Sequence, residues 1–446
     1  MDLRTFLDEA ANQGWLAVIH RPVRPELELA AVAYALDGRP VLFDHIVGHE
    51  GWRVVSGVAS ARKHFALALG CEPGDILFRL AHAQAHPRPA PVIENAPCQE
   101  MVHRPGDLRS LPILKHLPDD AGPYITAAVA IVRDPDTGLN ASYHRLLRLD
   151  DRHVAARLVE NRGTHTAWKK TEGDLPIAIA IGLPLHALLA ASMSPPAGVF
   201  EMNIAQALAP TPLTRCLTSD LLVPAEAEIV LEGRLTHRLA AEGPFIDLTE
   251  TPDIVRQQPV IVIDAITHRR DPIYHALLPG QLEHKLLMGM PKEPGIYAAV
   301  REVADVRNVH ITPGGASWLH AVVQIAKHHP DDGRRAIEAA YRGHGSLKHV
   351  VVVDEDIDIF DPNDVEWAIA TRVQAGRDVF IFRDQPSSSL DPSARHVPGQ
   401  KSRSDKAGVD ATIPWDTPDG PSHPEHFRRI PFPQVDVAAW LGEASS

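Results

Sequence analysis

The stretch 242-EGPFIDLTETPD-253 sets two carboxylates, Glu242 and Asp247, five residues apart around a Gly-Pro pair. Side chains alternate faces along a strand, so an odd spacing of five would send the two acids to opposite sides. Gly243 and Pro244 are the residues that interrupt such alternation with a bulge or turn, which would bring both carboxylates to one site. A solvated surface loop would use the same residues, so the decision rests on the rest of the chain.

Working outward, residues 110–310 carry short β-rich runs bounded by turn residues. ITAAVAIVRD, ASYHRLLRL, HVAARLV, PIAIAIG, EIVLEGRL, PVIVIDAITHR and PIYHALL predict a twisted, barrel-like sheet. Residues 1–80 mix helical and strand patterns in a small α+β unit, and 85-AHPRPAPVIENAPCQ-99, with its four prolines, reads as an extended crossing. Beyond residue 315 strands alternate with helices, which predicts an α/β layer. There 361-DPNDVEWAIATRVQ-374 starts a helix with Asp361 as N-cap and Pro362 at its first position.

Composition narrows the class. The 446 residues have room for two or three domains. A balance of 44 basic against 57 acidic side chains, net −13, argues against nucleic acid or an anionic membrane as partner. Cys71, Cys98 and Cys216 form no CxxC pair, and no run of about 18 apolar residues predicts a membrane span, so a cytoplasmic protein is expected.

Two apparent motifs dissolve on inspection. The run 354-DEDIDIFDPNDVE-366 has Ile359 where a calcium loop needs Gly and Val365 where it needs Glu, and reads as a strand end and helix cap. The stretch 343-GHGSLK-348 lacks a third glycine and precedes a strand, so it is no dinucleotide fingerprint. More informative is 140-NASYHRLLRLD-150, where alternation puts Arg145 on the same face as Tyr143 and Leu147. An arginine among apolar neighbours needs a carboxylate or phosphate partner, either in a structural ion pair with an acid such as Glu242 or in a charged functional site.

Taken together, Asn140 and Arg145 in N-x-x-x-x-R, EGPF-x-D at 242–247, Glu201 in VFEMNIA and 404-SDKAGVDAT-412 resemble the UbiD-type decarboxylases over roughly residues 1–415. The resemblance implies an N-terminal α/β domain (1–110), a central split β-barrel that binds prenylated FMN (111–310) and a C-terminal α/β region (311–446) that dimerises. It also implies reversible, non-oxidative decarboxylation of an α,β-unsaturated or (hetero)aromatic acid, with a flavin prenyltransferase supplying the cofactor. Residue by residue, Arg145 would orient the substrate carboxylate, Glu242 would pair with it and Asp247 would donate the replacing proton. Ser192, Met193 and Lys406 would contact the flavin. Asn140 and Glu201 would hold Mn²⁺ or Mg²⁺ at its phosphate, with K⁺ nearby.

This chain departs from the family pattern in three places. Many relatives have a His as third metal ligand where Asn161 stands, with Glu160, His153 and His165 close by in sequence. Glu250 occupies the middle of T-E-T, and Ile246 replaces a usual Gly. Relatives acting on furan dicarboxylate have a His and an Arg eight residues apart, similar to His284 and Lys292 here. That pair would take a second anionic group if Gly289–Pro291 turns the chain. The stretch 278-LPGQLEHKLLMGMPKEP-294 is also similar to the branch acting on anhydromevalonate phosphate, where the second anion is phosphate. A non-catalytic flavin-binding subunit is the rival class, opposed by the intact Arg145, Glu242 and Asp247 set.

Overall fold

Alternation of large and small apolar residues explains how the central strands are shared between two cores. In Leu175–Ile181, Ile177, Ile179 and Ile181 enter one apolar cluster, while Ala178 and Ala180 enter another on the opposite face. The isoleucine cluster fills one side of the sheet with Leu231, Ile261 and Ile263. The alanine side lies against the helices Leu3–Asn12, Arg62–Leu69, Leu185–Ala191 and Glu201–Leu208. Truncating a fully buried residue such as Ile179 to Ala would cost about 2–5 kcal/mol.

This computed structural model describes residues 1–397 and 399–430, with 432, 433, 435, 436 and 440 beyond them. The central sheet runs in the order Tyr124–Ile125, Leu146–Arg148, His153–Ala156, Arg256–His268, Ile229–Glu242, Leu175–Ile181, Val129–Asp134 and Gly138–Tyr143, and Met101–His103 pairs beside Arg256–His268. Gly138–Tyr143 ends this path, yet only His144 and Arg145 separate it in sequence from Leu146–Arg148 near the other end. Such a link spans at most about 10 Å, so the sheet has to curl until its ends approach one another there. Among the described residues no ladder joins the two terminal strands, and the barrel is open.

Flanking this sheet are two smaller ones. Ala17–Ile19, Val41–Phe43 and Arg53–Ser56 form the N-terminal sheet, completed by Ile273–His275 from far along the chain. The C-terminal sheet has the order Asp305–Ile311, His320–Ala326, His349–Asp354, Arg403–Asp410 and Val379–Pro386, with helices on both faces. The Asp361 carboxylate accepts from the Asn363 N–H at 2.9 Å as the expected N-cap. In place of a calcium loop, Asp354 and Asp356 receive hydrogen bonds from the fully buried Arg372.

Helices interrupt the strand-rich region more than its composition suggests. Gly163–Lys170, Leu185–Ala191, Glu201–Leu208 and Leu282–Gly289 all lie there. They are only seven or eight residues long, and Leu185–Ala191 is buried on every side, so no amphipathic period marks it. No helix among the described residues is long and apolar enough to cross a membrane.

Candidate active site

The strands Ile229–Glu242 and Arg256–His268 form one long antiparallel hairpin, and the quoted stretch is its tip. Gly243 takes φ +98°, a left-handed conformation that disfavours any side chain, and the Gly243–Pro244 peptide is cis. Beyond it Phe245–Ile246 folds back to pair with Pro252–Asp253. The break predicted from the Gly-Pro pair is therefore real, and it removes the strict alternation that would have separated the acids.

Glu242 is wholly buried and meets Arg145 in a forked pair, Nε to Oε1 at 2.8 Å and Nη2 to Oε2 at 3.1 Å. The Tyr124 hydroxyl donates to Oε1 at 3.2 Å and accepts from the Gly243 N–H at 3.1 Å. Arg145 Nη2 also reaches Asp253 Oδ2 at 2.8 Å, and the guanidinium lies over the Phe245 ring at 5.3 Å. Burial disfavours a charged Arg145, but its bonds to Glu242, with the fields of Asp253 and Asp247, hold its pKa above the ordinary value. Its Nη1 has no hydrogen bond within the described protein, which leaves one N–H edge for a ligand.

Asp247 is half-buried and forms no ion pair among the described residues. Its Oδ1 accepts only from the Leu248 N–H, at 2.7 Å. His284 stands within electrostatic reach of both Asp247 and Arg145, and burial pushes its pKa down to about 4. Its Nδ1 accepts from the Gly280 N–H at 3.0 Å, so the neutral ring carries its proton on Nε2. Glu250 is paired with Lys285 and adds no free charge.

The turn expected at Gly289–Pro291, between His284 and Lys292, is not formed. Gly289 and Met290 keep helical dihedrals, so the chain runs on from Leu282–Gly289 into the 3₁₀ turn Met290–Lys292 without reversing. Eight residues of helix separate the two by about 12 Å along the axis. Lys292 instead donates to Ser194 Oγ at 3.0 Å, beside Ser192 and the buried Met193.

Asn140 and Glu201 do come together. Asn140 Nδ2 donates to Glu201 Oε1 at 2.9 Å and the Ala141 N–H to Oε2 at 2.7 Å. Glu201 is 3% exposed, has no cationic partner among the described residues, and its pKa is raised to about 7 by burial. Asn140 Oδ1 is buried without a hydrogen-bond partner. A buried carboxylate beside an unsatisfied carbonyl oxygen is a hard-oxygen donor set that fits Mn²⁺ or Mg²⁺. Asn161 is exposed, and its N–H donates to Nδ1 of the buried His165 at 3.1 Å. The segment meets Asn140 at Gly163, where a Cβ would fall 2.4 Å from Asn140 Oδ1. His153 is taken up by Asp150. Lys406, 5% exposed, donates to the Gly345 carbonyl at 2.8 Å.

Sequence reading assigned no role to Tyr124 or Asp253. Asp253 closes the quoted stretch itself, and its significance lay in the small hairpin that returns it to Arg145. Tyr124 belongs to a two-residue strand with no periodic signal, so nothing local marked it.

Comparison with known proteins identifies the family. Residues 7–84, 91–282 and 285–411 match, in turn, the N-terminal, Rift-related and C-terminal domains of 3-octaprenyl-4-hydroxybenzoate carboxy-lyase. The chain belongs to the UbiD family of carboxy-lyases and is a decarboxylase. It is 42% identical to anhydromevalonate phosphate decarboxylase of Methanothermobacter thermautotrophicus, over 96% of this chain and 99% of that protein. Identity to the Methanosarcina mazei protein of the same name is also 42%, over 92% and 96%. Among solved structures, the UbiD-class enzyme HmfF from Pelotomaculum thermopropionicum in complex with FMN superposes with a TM-score of 0.92, at 40% identity and coverage of 98% and 99%. The apo 3,4-dihydroxybenzoic acid decarboxylase of Klebsiella pneumoniae gives 0.91 at 28% identity, with both chains fully covered.

Proposed function

We propose that the protein uses prenylated FMN to decarboxylate a phosphorylated α,β-unsaturated acid of the anhydromevalonate phosphate type. The observation that carries this choice over an aromatic acid is Lys292, a half-buried ammonium beside the flavin-lining segment whose one hydrogen bond is to a hydroxyl. An aromatic monocarboxylate would leave that charge without a partner, whereas a phosphate satisfies it. Relatives of the same name at 42% identity support the reading.

Prenylated FMN, when bound, supplies the electron sink for the carbon that loses carbon dioxide. The chain's own residues do the rest. Arg145 Nη1 takes the substrate carboxylate and fixes the scissile bond. Glu242, Tyr124 and Asp253 hold the guanidinium in place. Asp247 delivers a proton to the carbon from which carbon dioxide has left. Asn140 and Glu201 would hold a divalent ion, and Lys406 would add charge, to neutralise the cofactor phosphate. The working unit is a homo-oligomer, in keeping with the dimeric form described for an evolved relative.

The deciding experiment co-produces the protein with a flavin prenyltransferase and presents the purified holoenzyme with anhydromevalonate phosphate, its dephosphorylated form, furan dicarboxylate and 3,4-dihydroxybenzoate. The expected result is carbon dioxide release with kcat/KM highest for anhydromevalonate phosphate. A flavin-loaded protein that prefers an aromatic acid overturns the substrate, and one inert on all four overturns the catalytic reading.

A further inference from the structure

The loop that resembled a nucleotide motif, 343-GHGSLK-348, carries an unexplained side chain. His344 is 8% exposed, and its Nε2 is buried with no hydrogen-bond partner. The ring stands edge-on to Trp318, with centroids 4.5 Å apart at 78°. Lys292 Nζ lies over the same indole, 6.0 Å from the ring centroid. Lys406 approaches the same loop through the Gly345 carbonyl at 2.8 Å.

These three basic groups come from different parts of the chain and converge at one seam. Lys292 follows Gly289, whose Cβ would lie 2.6 Å from the Ser317 carbonyl, so only glycine lets this helix press against the loop bearing Trp318. His344 and Lys406 belong to the C-terminal α/β unit. Among the described residues none of the three is paired with a carboxylate. The charge felt by Lys292 is Arg162, those felt by His344 are Lys292 and Lys406, and that felt by Lys406 is Lys401. A half-buried and a buried ammonium beside an unsatisfied imidazole, with no paired acid among the described residues, describe a site whose counter-ion is a ligand.

We propose that His344 and Lys292, with the Ser194 hydroxyl, form a phosphate-monoester subsite at this seam, next to the cofactor phosphate that Lys406 would neutralise, and that His344 Nε2 is a specificity-determining contact to the substrate's phosphate. The assignment to substrate rests on the reading of the substrate as a phosphorylated acid; the cofactor's phosphate shares the chemistry. His344 Nε2 is buried without a hydrogen-bond partner, and it engages the phosphate through a proton, carried by the neutral ring or by the monoester itself. The dianion offers several oxygens to donors from both sides of the seam, and a second carboxylate offers fewer.

The test compares flavin-loaded wild type, His344→Gln and His344→Leu. Leu removes the polar contact, while Gln keeps a donor and acceptor near the same place. For His344→Leu, the ratio of kcat/KM for anhydromevalonate phosphate to that for its dephosphorylated form should fall about tenfold to a hundredfold through KM, the scale of one lost charge-assisted hydrogen bond. His344→Gln should recover most of that ratio, and flavin absorbance per protein should match wild type in both variants. An unchanged ratio overturns the proposal. So does flavin loss in step with activity, which gives the phosphate to the cofactor, or equal damage in Leu and Gln, which makes the residue structural. Should wild type turn over neither acid, the substrate reading fails, and calorimetric titration with inorganic phosphate decides the subsite separately. Binding to flavin-loaded wild type that weakens in His344→Leu upholds it, and binding indifferent to His344 overturns it.

Discussion

Arg145 and Glu242 meet through two parallel hydrogen bonds, at 2.8 and 3.1 Å, with the carboxylate fully buried. A forked pair of this kind fixes the plane of the guanidinium as well as its position. Lysine cannot reproduce it, because an ammonium is a point charge without a plane. Glu242→Gln keeps the shape but loses the charge and one acceptor, and turnover should fall at least about a hundredfold. Arg145→Lys should fall as far. Steady-state kinetics on holoenzyme checks both, and near-normal activity in either removes the pair from the mechanism.

Asp247 differs from Glu242 in being half-buried and, among the described residues, free of ion pairs and bonded through Oδ1 only to a backbone N–H. Such a carboxyl is able to exchange a proton with a substrate, whereas one locked to arginine is not. Asp247→Asn should therefore lower decarboxylation at least about a hundredfold while flavin content stays at the wild-type level. Loss of flavin with activity would make Asp247 a cofactor-binding residue instead.

The contrast between these two acids shows how far the sequence could be read. Glu242, Asp247 and Arg145 were recognisable because a Gly-Pro break and an inward arginine are both costly without a purpose. Asp253 and Tyr124 were not, since their value comes from pairings across 108 and 118 residues of chain. The outer architecture was visible in the change from strand-rich to alternating patterns, and the Asp361 cap in a local Asp-Pro signal. Short helices buried on all sides left no period to read. The proposed turn at Gly289–Pro291 failed for a related reason, as proline is tolerated in the first turn of a helix and here stands where one helical segment succeeds another.

Stability offers an independent check on the C-terminal layer. Asp361 caps Pro362–Arg372 through a single 2.9 Å hydrogen bond to the Asn363 N–H. Asp361→Ala should destabilise the protein by about 1 kcal/mol. Equilibrium urea denaturation of variant and wild type would measure it, and an unchanged midpoint would mean that packing alone holds the helix start.

For a metal, the unsatisfied Asn140 Oδ1 and Glu201, which has no cationic partner among the described residues, make a definite prediction. Treating holoenzyme with a chelator should release flavin, and Glu201→Gln should be purified with less flavin than wild type, because the cofactor phosphate would lose its counter-ion. Elemental analysis should find manganese or magnesium in the wild type in proportion to flavin. Full flavin retention in metal-free protein would assign the phosphate to basic side chains alone.

Lys292 links the substrate to pH. Burial lowers its pKa to about 8, with the neighbouring Arg162 pushing the same way. The groups around it are Ser194, the Trp318 ring and His344, none of them acidic. An amine is charged below its pKa, so Lys292 is an ammonium at pH 7 and loses its charge as pH rises through about 8. Lys406, also lowered to about 8 by burial, loses its charge over the same interval, where it would weaken the hold on the cofactor phosphate. Since kcat/KM reports the ionisation of free enzyme, its value for a phosphorylated acid should be level below pH 8 and decline above it. The decline should appear in KM, because the lost interaction is binding. Lys292→Ala should raise KM for the phosphorylated acid about tenfold to a hundredfold at pH 7 and flatten part of the alkaline limb. Lys292→Arg, which stays charged, should displace the Lys292 portion of that limb to higher pH. If the profiles for phosphorylated and dephosphorylated acids decline together, or the limb is the same in Lys292→Ala, the titrating group lies elsewhere and Lys292 does not hold the second anion.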